Sequence, residues 1–244
     1  MTPNSRLMAV AGLTAVASVL LLAAALHGQL HAQEPSPGVA EAPLPADINP
    51  VTRYRLPLPT RADMTSDEDR QMFDELTKSR RPVLWLYNPK LAKAMEEAHQ
   101  VVRFQTGLDQ RLTEIAVLTT VRALNSQVEW TEWEPQAGPG KPSAVEPAIV
   151  DIIKFCKPAV GLGPKETLII NYGRELIGPG RGVSSANFAE AVRLFGRRGA
   201  VELTDLMVMY QATVTEMRAY DAHLHAGQKG LLPPPEATPD CHPA

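Results

Sequence analysis

The segment from residue 108 to residue 136 joins a helical pattern to a group of tryptophans and glutamates, LDQRLTEIAVLTTVRALNSQVEWTEWEPQ. Apolar or small side chains recur at helical spacing in its first half, at Leu112, Ile115, Ala116, Thr119 and Ala123. Asn125 and Ser126 then offer a break and a new helix cap. The segment therefore predicts two consecutive helices joined by a short turn.

The chain from about residue 63 onward carries helix signals and few alternating β-branched runs. Ser66 precedes an acidic first turn, and Asn88 supplies a cap before a proline at the first helical position. The helix that follows is predicted to place Leu91, Met95, Ala98 and Val102 on one face. Further helices are predicted near residues 149–155, 164–177, 184–195 and 200–225. The sequence thus predicts an all-α fold of about seven to eight helices.

The N-terminus has the pattern of a secretory signal peptide. Arg6 is the only charged side chain before Glu34, and residues 7–26 are almost wholly apolar. We expect residues 1–32 to be the signal, with cleavage after Ala32, and a periplasmic or secreted protein. The apolar run is also about as long as a membrane span, so an uncleaved anchor is the alternative. Only that alternative would bring the protein to a membrane.

The remaining chain divides into three parts. Residues 33–59 are rich in Pro and Ala and predict a linker or an arm. Residues 60–227 are predicted to form the helical domain, and residues 228–244 a mobile Pro-rich tail. A net charge of −3 argues against a nucleic-acid partner, which selects for a basic face.

The two cysteines, Cys156 and Cys241, leave two interpretations open. Export permits a disulfide, but Cys241 lies in the predicted mobile tail. The preferred interpretation is that Cys156 is a small buried apolar residue.

A family resemblance rests on the pattern Leu112-x-Glu114-Ile115-Ala116-x-Leu118, then Arg122, then Glu129-Trp130. It resembles the core helix pair of the carboxymuconolactone decarboxylase / alkyl hydroperoxidase D-like family. Residues 188–191 and 201–206 are similar to the second half of that domain, so the resemblance covers about residues 87–224. It implies an alkyl hydroperoxidase D-like helical bundle that forms homo-oligomers. The long helix after Ala200 is a candidate interface or, more simply, the core helix of the monomer.

The chain departs from the redox-active members of that family at three positions. The two motif cysteines fall on Ser126 and Glu129, the motif histidine falls on Trp133, and the upstream glutamate falls on Glu114. A thiol relay needs two thiols, so peroxide reduction is the least favoured function. Peroxide reduction that uses Cys156, which lies outside the motif, is part of this least favoured hypothesis.

The resemblance to the lactone decarboxylase side implies a small carboxylated lactone or organic acid as ligand, without metal or cofactor. Glu114 and Glu129 are the predicted catalytic pair, because two carboxylates in an apolar pocket acquire different pKa values. The predicted substrate-binding residues are Trp130, Trp133, Tyr210 and His99. The absent histidine motivates a second hypothesis, a non-catalytic binding or structural member of the family.

Each of these residues also has a purely structural interpretation. Glu114 pairs with Arg122 or Arg111 in that case, and Trp130 and Trp133 are core residues. His99 lies on a surface helix position, and Glu132 and Glu134 face solvent. A metal site at Asp221, His223 and His225 is disfavoured, because residues two apart on a helix point in different directions.

Overall fold

Seven α-helices make up the fold in a computed structural model that describes residues 43–78, 83–180, 182–234, 237, 240 and 241. No strand occurs within those residues, which confirms the all-α prediction. The helices are α1 (Asp67–Thr77), α2 (Pro89–Phe104), α3 (Gln110–Ala123), α4 (Gln127–Trp133), α5 (Pro147–Lys154), α6 (Pro164–Ile177) and α7 (Ser185–Ala219). Short 3-10 turns lie at Arg61–Asp63, Leu84–Tyr87 and Glu134–Ala137.

Several helix starts follow the capping residues that the sequence predicts. The Ser66 side chain accepts a hydrogen bond from the Asp69 backbone N–H, and Asn88 accepts from the Leu91 N–H. Ser126 caps α4 by accepting from the Glu129 N–H. Each cap satisfies a backbone donor that the first helical turn leaves unpaired.

Helix α3 is the centre of the fold. Every residue from 112 to 123 is buried, because α4, α5, α6 and α7 all pack on this helix. An apolar or small residue on every face is the pattern of an enclosed helix rather than a surface one. The sequence therefore predicted the helix itself correctly. It did not show that the side chains on every face of this helix are buried.

Gly173 of α6 marks the closest approach of α6 to its neighbours. A Cβ added there would lie 2.8 Å from the Thr119 γ-methyl and 3.0 Å from the Met207 methyl. We expect Gly173→Ala to destabilise the protein by about 1–3 kcal/mol through overpacking, although alanine is the better helix former. Urea unfolding measures this change. The double variant Gly173→Ala/Thr119→Ser should recover part of the loss; no recovery would place the strain elsewhere.

The buried face of α2 differs from the predicted one. Leu91 is 50% exposed and Ala98 is also exposed, whereas Ala92 and Arg103 are buried. The physical reason is that Arg103 turns inward to pair with Glu114 of α3. A hydrophobic pattern cannot reveal that a charged residue sets the orientation of a helix.

Helix α7 consists of two helical segments that meet at a kink, so the predicted break between them is confirmed. Gly196 lies at their junction with φ 73°, a left-handed conformation that suits glycine. The segment ends at Ala219 rather than near His225, so the predicted end was about six residues too late. Asp221 and His223 therefore lie beyond the helix, where the Asp221 carboxylate is 3.5 Å from the His223 Nε2. No group of three metal-ligating side chains occurs among the residues that the structure describes.

The described part of the predicted linker or arm, residues 43–59, docks on the chain just after α7. The Arg55 N–H donates to the Tyr220 carbonyl at 2.8 Å, and the His223 N–H donates to the Arg53 carbonyl at 3.0 Å. The Arg53 Nε donates to the Leu224 carbonyl at 2.7 Å. These bonds bring Tyr54 to the side of the fold where α4 lies.

A disulfide joins Cys156, just after α5, to Cys241 near the C-terminus, with the two Cα atoms 4.8 Å apart. The preferred interpretation of Cys156 as an unpaired apolar residue was wrong. Spacing in sequence could not reveal the bridge, because the two residues are 85 positions apart.

The predicted signal segment, residues 1–32, lies outside the described residues. In the part that is described, no helix is both long enough and apolar enough to cross a membrane.

Candidate functional site

Five of the six predicted site residues lie in one group of contacting side chains. We call it the carboxylate–aromatic cluster, and it comprises His99, Arg103, Glu114, Glu129, Trp133 and Tyr210. The side chains come from α2, α3, α4 and α7, which the core packing holds together. Arg103 is the member that the sequence analysis missed.

Glu114 forms a buried ion pair with Arg103. The Arg103 Nη2 lies 2.5 Å from the Glu114 Oε2, with side-chain exposures of 4% and 0%. Burial raises the pKa of Glu114, and the neighbouring guanidinium opposes that rise. The structural interpretation correctly predicted an arginine partner for Glu114. It named the wrong arginines, because neither Arg122 nor Arg111 pairs with this carboxylate.

Glu129 has a different environment, although it belongs to the same cluster. Its side chain accepts a hydrogen bond from the Trp133 indole N–H at 2.9 Å. The residue is 5% exposed. Burial raises the pKa of Glu129; the Trp133 bond opposes the rise and nearby Glu132 adds to it. The two carboxylates are therefore unequal, one held by a cation and the other by a neutral donor.

Trp133 and Tyr210 form the aromatic wall of the cluster. Their rings meet edge to face with centroids 5.3 Å apart, and the Arg103 guanidinium lies 4.6 Å from the Trp133 ring centroid. Burial raises the pKa of Tyr210, and the charges of Arg103, Glu114 and Glu129 all act on it. Trp133 stands at the position where the redox-active relatives carry the motif histidine. Its ring packs against Arg103 and Tyr210, so the space at that position is filled.

His99 reaches the edge of the cluster from α2. Its Nε2 lies 3.5 Å from the Tyr210 hydroxyl, and the ring contacts Phe104 edge to face. Burial lowers the pKa of His99, and Arg103 lowers it further against the effect of Glu96. The side chain is half-buried, so the surface interpretation was only partly right.

Trp130 lies outside the cluster. It is fully buried, and its indole N–H donates to the Glu134 carboxylate at 2.7 Å. Glu134 also pairs with Lys154 at 2.9 Å, so its prediction as a solvent-facing residue was wrong, whereas Glu132 is exposed as predicted. Trp130 and Trp133 are three residues apart, but their indole N–H groups donate to different carboxylates, those of Glu134 and Glu129.

Polar atoms inside the cluster lack partners among the described residues. The Arg103 Nε and Nη1 donors and the Glu114 Oε1 acceptor are all buried without a hydrogen bond. Buried donors of this kind are costly unless something satisfies them. Charge-assisted hydrogen bonds to a carboxylate would satisfy guanidinium donors of this kind.

The Cys-motif positions hold no thiol. Ser126 is the cap of α4, and Glu129 and Trp133 bond to each other. Cys156 is held in the disulfide with Cys241.

Tyr54 is a further neighbour of Glu129 that sequence reasoning missed. Burial raises the pKa of Tyr54, and the charges of Glu129 and Glu132 add to the rise.

The raised pKa of Glu129 predicts a pH-dependent stability. The folded state holds the Glu129 proton more tightly than the unfolded state, so its stabilising contribution is full below a pH of about 4.5 and declines as pH rises through the folded pKa. Glu129→Gln lacks this loss. We expect the melting temperature of Glu129→Gln, relative to wild type, to be higher at pH 8 than at pH 5. Glu132→Gln, which changes an exposed neighbour, serves as the control. If the melting temperatures of Glu129→Gln and wild type change in parallel with pH, the raised pKa of Glu129 is contradicted.

Comparison of the chain with protein-family models, with curated proteins and with solved structures finds no match in any of the three.

Proposed function

We propose that this protein is a carboxymuconolactone decarboxylase-like enzyme that binds a small carboxylated lactone or organic acid and transfers a proton through Glu129. The observation that supports the proposal most is the pair of buried carboxylates in unequal environments. Glu114 faces a guanidinium, whereas Glu129 faces an indole. Two such groups divide the work of holding charge and moving a proton.

Arg103 is the proposed anchor for the substrate carboxylate. Two of its donors, Nε and Nη1, are buried without a hydrogen bond, and guanidinium groups form charge-assisted hydrogen bonds to carboxylates. Glu114 is then a positioning residue rather than a proton carrier, since it holds the Arg103 side chain in place. This role revises the predicted sharing of proton transfer between the two glutamates.

Glu129 is the proposed acid–base residue. Burial brings its pKa closer to neutral, which favours both gain and loss of a proton. In a decarboxylation, the bond from the substrate carbon to its carboxylate breaks and carbon dioxide leaves. The electron pair left on that carbon takes up the proton that Glu129 delivers. If that electron pair is delocalised onto a substrate carbonyl before protonation, the carbonyl oxygen becomes an oxyanion, and the proposed role of the Tyr210 hydroxyl is to donate a hydrogen bond to it.

A non-catalytic binding or structural role is the second candidate. The observation that favours it is Trp133, which packs between Arg103 and Tyr210 at the centre of the cluster. In that case the cluster is a polar part of the core, and it binds no small acid.

Export and self-association complete the proposal. The disulfide supports export, because such bonds persist in oxidising compartments. Exposed apolar side chains on α2 and α7 support a homo-oligomer, among them Val101, Phe104, Val201 and Val208.

A thermal-shift panel of the full chain tests the proposed binding. The panel holds carboxylated lactones, small aromatic acids and dicarboxylic acids at constant ionic strength. A bound acid raises the melting temperature of wild type. The shift should be lost in Arg103→Lys, which keeps the charge but not the paired donors, and kept in Lys93→Arg on the exposed face of α2. No shift with any acid would favour the non-catalytic candidate.

A further inference from the structure

The Arg103–Glu114 ion pair uses only part of its hydrogen-bonding capacity. The Arg103 Nη2 donates to the Glu114 Oε2. The Arg103 Nε and Nη1 donors and the Glu114 Oε1 acceptor have no hydrogen-bond partner among the residues that the structure describes. Each of these atoms is separated from the bonded Nη2 or Oε2 by a single carbon. The unpartnered donors and the unpartnered acceptor therefore border the same ion pair, where one small molecule can meet both.

Burial makes these unpartnered atoms costly. Arg103 is 4% exposed and Glu114 is 0% exposed, so water in bulk does not reach either side chain freely. A buried polar atom without a partner has lost its hydrogen bonds to water and gained none in return. The Arg103 guanidinium is also held by contact with the rings of Trp133 and Tyr210, at 4.6 and 5.8 Å from their centroids. The fold thus fixes a charged pair and leaves part of it for a ligand to satisfy.

A plain carboxylate would satisfy only the arginine side of this pair. Its oxygens accept hydrogen bonds from the Arg103 donors. An ionised acid has no donor for the Glu114 Oε1, however, and it brings a second negative charge close to that oxygen. A hydroxyl group supplies one donor as well as acceptor lone pairs. An acid with a hydroxyl beside its carboxylate therefore offers acceptors to Arg103 and a donor to Glu114.

The carboxylate–aromatic cluster reaches the protein surface at two of its side chains. His99 and Trp133 are only half-buried, whereas Arg103 and Glu114 are buried. Trp133 contacts the Arg103 guanidinium directly, so the path from solvent to the ion pair is one side chain deep at this point. A small acid therefore has a short approach to the unpartnered atoms.

We propose that the acid bound at Arg103 carries a hydroxyl group, and that the Glu114 Oε1 accepts the hydrogen bond of that hydroxyl. The inference rests on the proposed function and narrows its substrate class to acids with a free hydroxyl beside the carboxylate. Glu114 then has two contacts, since it holds Arg103 through Oε2 and meets the ligand through Oε1. It determines specificity, because its charge repels an ionised acid that brings no donor.

Calorimetric titration of the full-length protein with matched acids at pH 7 tests the proposal. Mandelate carries a hydroxyl beside its carboxylate, phenylacetate carries only hydrogen there, and α-methoxyphenylacetate carries an ether that accepts but cannot donate. Lactate, propionate and 2-methoxypropionate repeat the comparison at a smaller size. We expect the hydroxy acid of at least one series to bind about tenfold or more tightly than both of its analogues, because each analogue lacks the hydrogen bond to a charged acceptor.

Glu114→Gln locates the partner of the hydroxyl. Glutamine removes the charge and supplies an amide donor, so the ether and the plain acid lose their disadvantage. We expect the preference for the hydroxy acid over its methoxy analogue to fall to about onefold. A purely structural Glu114 would weaken all the acids alike and keep the ratio. Glu132→Gln, which changes an exposed glutamate, should keep the wild-type ratio.

The outcomes separate this inference from the proposed function. Equal affinity of wild type for all the acids of a series overturns the hydroxyl assignment and leaves acid binding at Arg103 intact. No binding of any of the acids overturns both. A preference that is lost in Glu129→Gln and kept in Glu114→Gln overturns the assignment to Glu114. The comparison of acids on wild type needs no variant, so it decides the matter even if Glu114→Gln does not fold.

Discussion

Replacing Arg103 with methionine is expected to lower the free energy of unfolding by about 3–5 kcal/mol at pH 7. The side chain is 4% exposed and its partner Glu114 is fully buried, so the variant leaves a carboxylate without a counter-ion in the core. Methionine retains most of the buried length of the arginine stem. The loss therefore reports the stranded charge more than a cavity. Denaturant unfolding followed by circular dichroism measures it.

The penalty in Arg103→Met should depend on pH and on Glu114. Without the guanidinium the pKa of Glu114 rises further, so the folded variant gains stability as pH falls and loses it as pH rises. The defect should therefore be smaller at pH 5 than at pH 7. Arg103→Met/Glu114→Gln should recover much of the loss, because it removes the stranded charge.

An exposed ion pair supplies the matched control for Arg103. Arg193 pairs with Glu190 at the surface of α7, and Arg193→Met should leave stability unchanged within error. A defect in Arg103→Met that matches this control would show that the Arg103–Glu114 pair does not organise the cluster.

Loss of the Cys156–Cys241 disulfide is expected to destabilise the protein by about 2–4 kcal/mol. The bridge closes a long loop, since its ends are 85 residues apart, and so restricts the unfolded chain. Unfolding in the presence and absence of a dithiol reductant measures the effect. The double variant Cys156→Ser/Cys241→Ser should match reduced wild type.

The double serine variant also tests whether the reductant acts through this bridge. Its stability should be the same with and without the reductant. If oxidised wild type and the double variant unfold at the same denaturant concentration, then the bridge does not stabilise the folded domain.

The sequence predicts the helices well because capping and periodicity are local. Ser66, Asn88 and Ser126 each cap the helix that their pattern indicates. The errors arise where long-range contacts decide. The buried face of α2 depends on Arg103 meeting Glu114, and the disulfide depends on the tail returning to α5. Neither contact has a signal within a short window of sequence.

The candidate site was predicted in part. Glu114, Glu129, Trp133, Tyr210 and His99 lie together, whereas Trp130 does not. The predicted carboxylates were chosen through the family resemblance, and their spacing alone does not show which cation reaches them. Arg103 was missed because an arginine near a helix end usually faces solvent.

Turnover by Glu129→Gln tests the central claim most directly. The full-length protein is supplied with the carboxylated lactone or acid that gives the largest thermal shift, and release of carbon dioxide is followed. We expect wild type to turn the compound over, Glu132→Gln to match it, and Glu129→Gln to be slower by about 10²–10⁴-fold while still binding the compound. Equal turnover by Glu129→Gln and wild type, or tight binding without any turnover by wild type, would contradict the proposed role of Glu129.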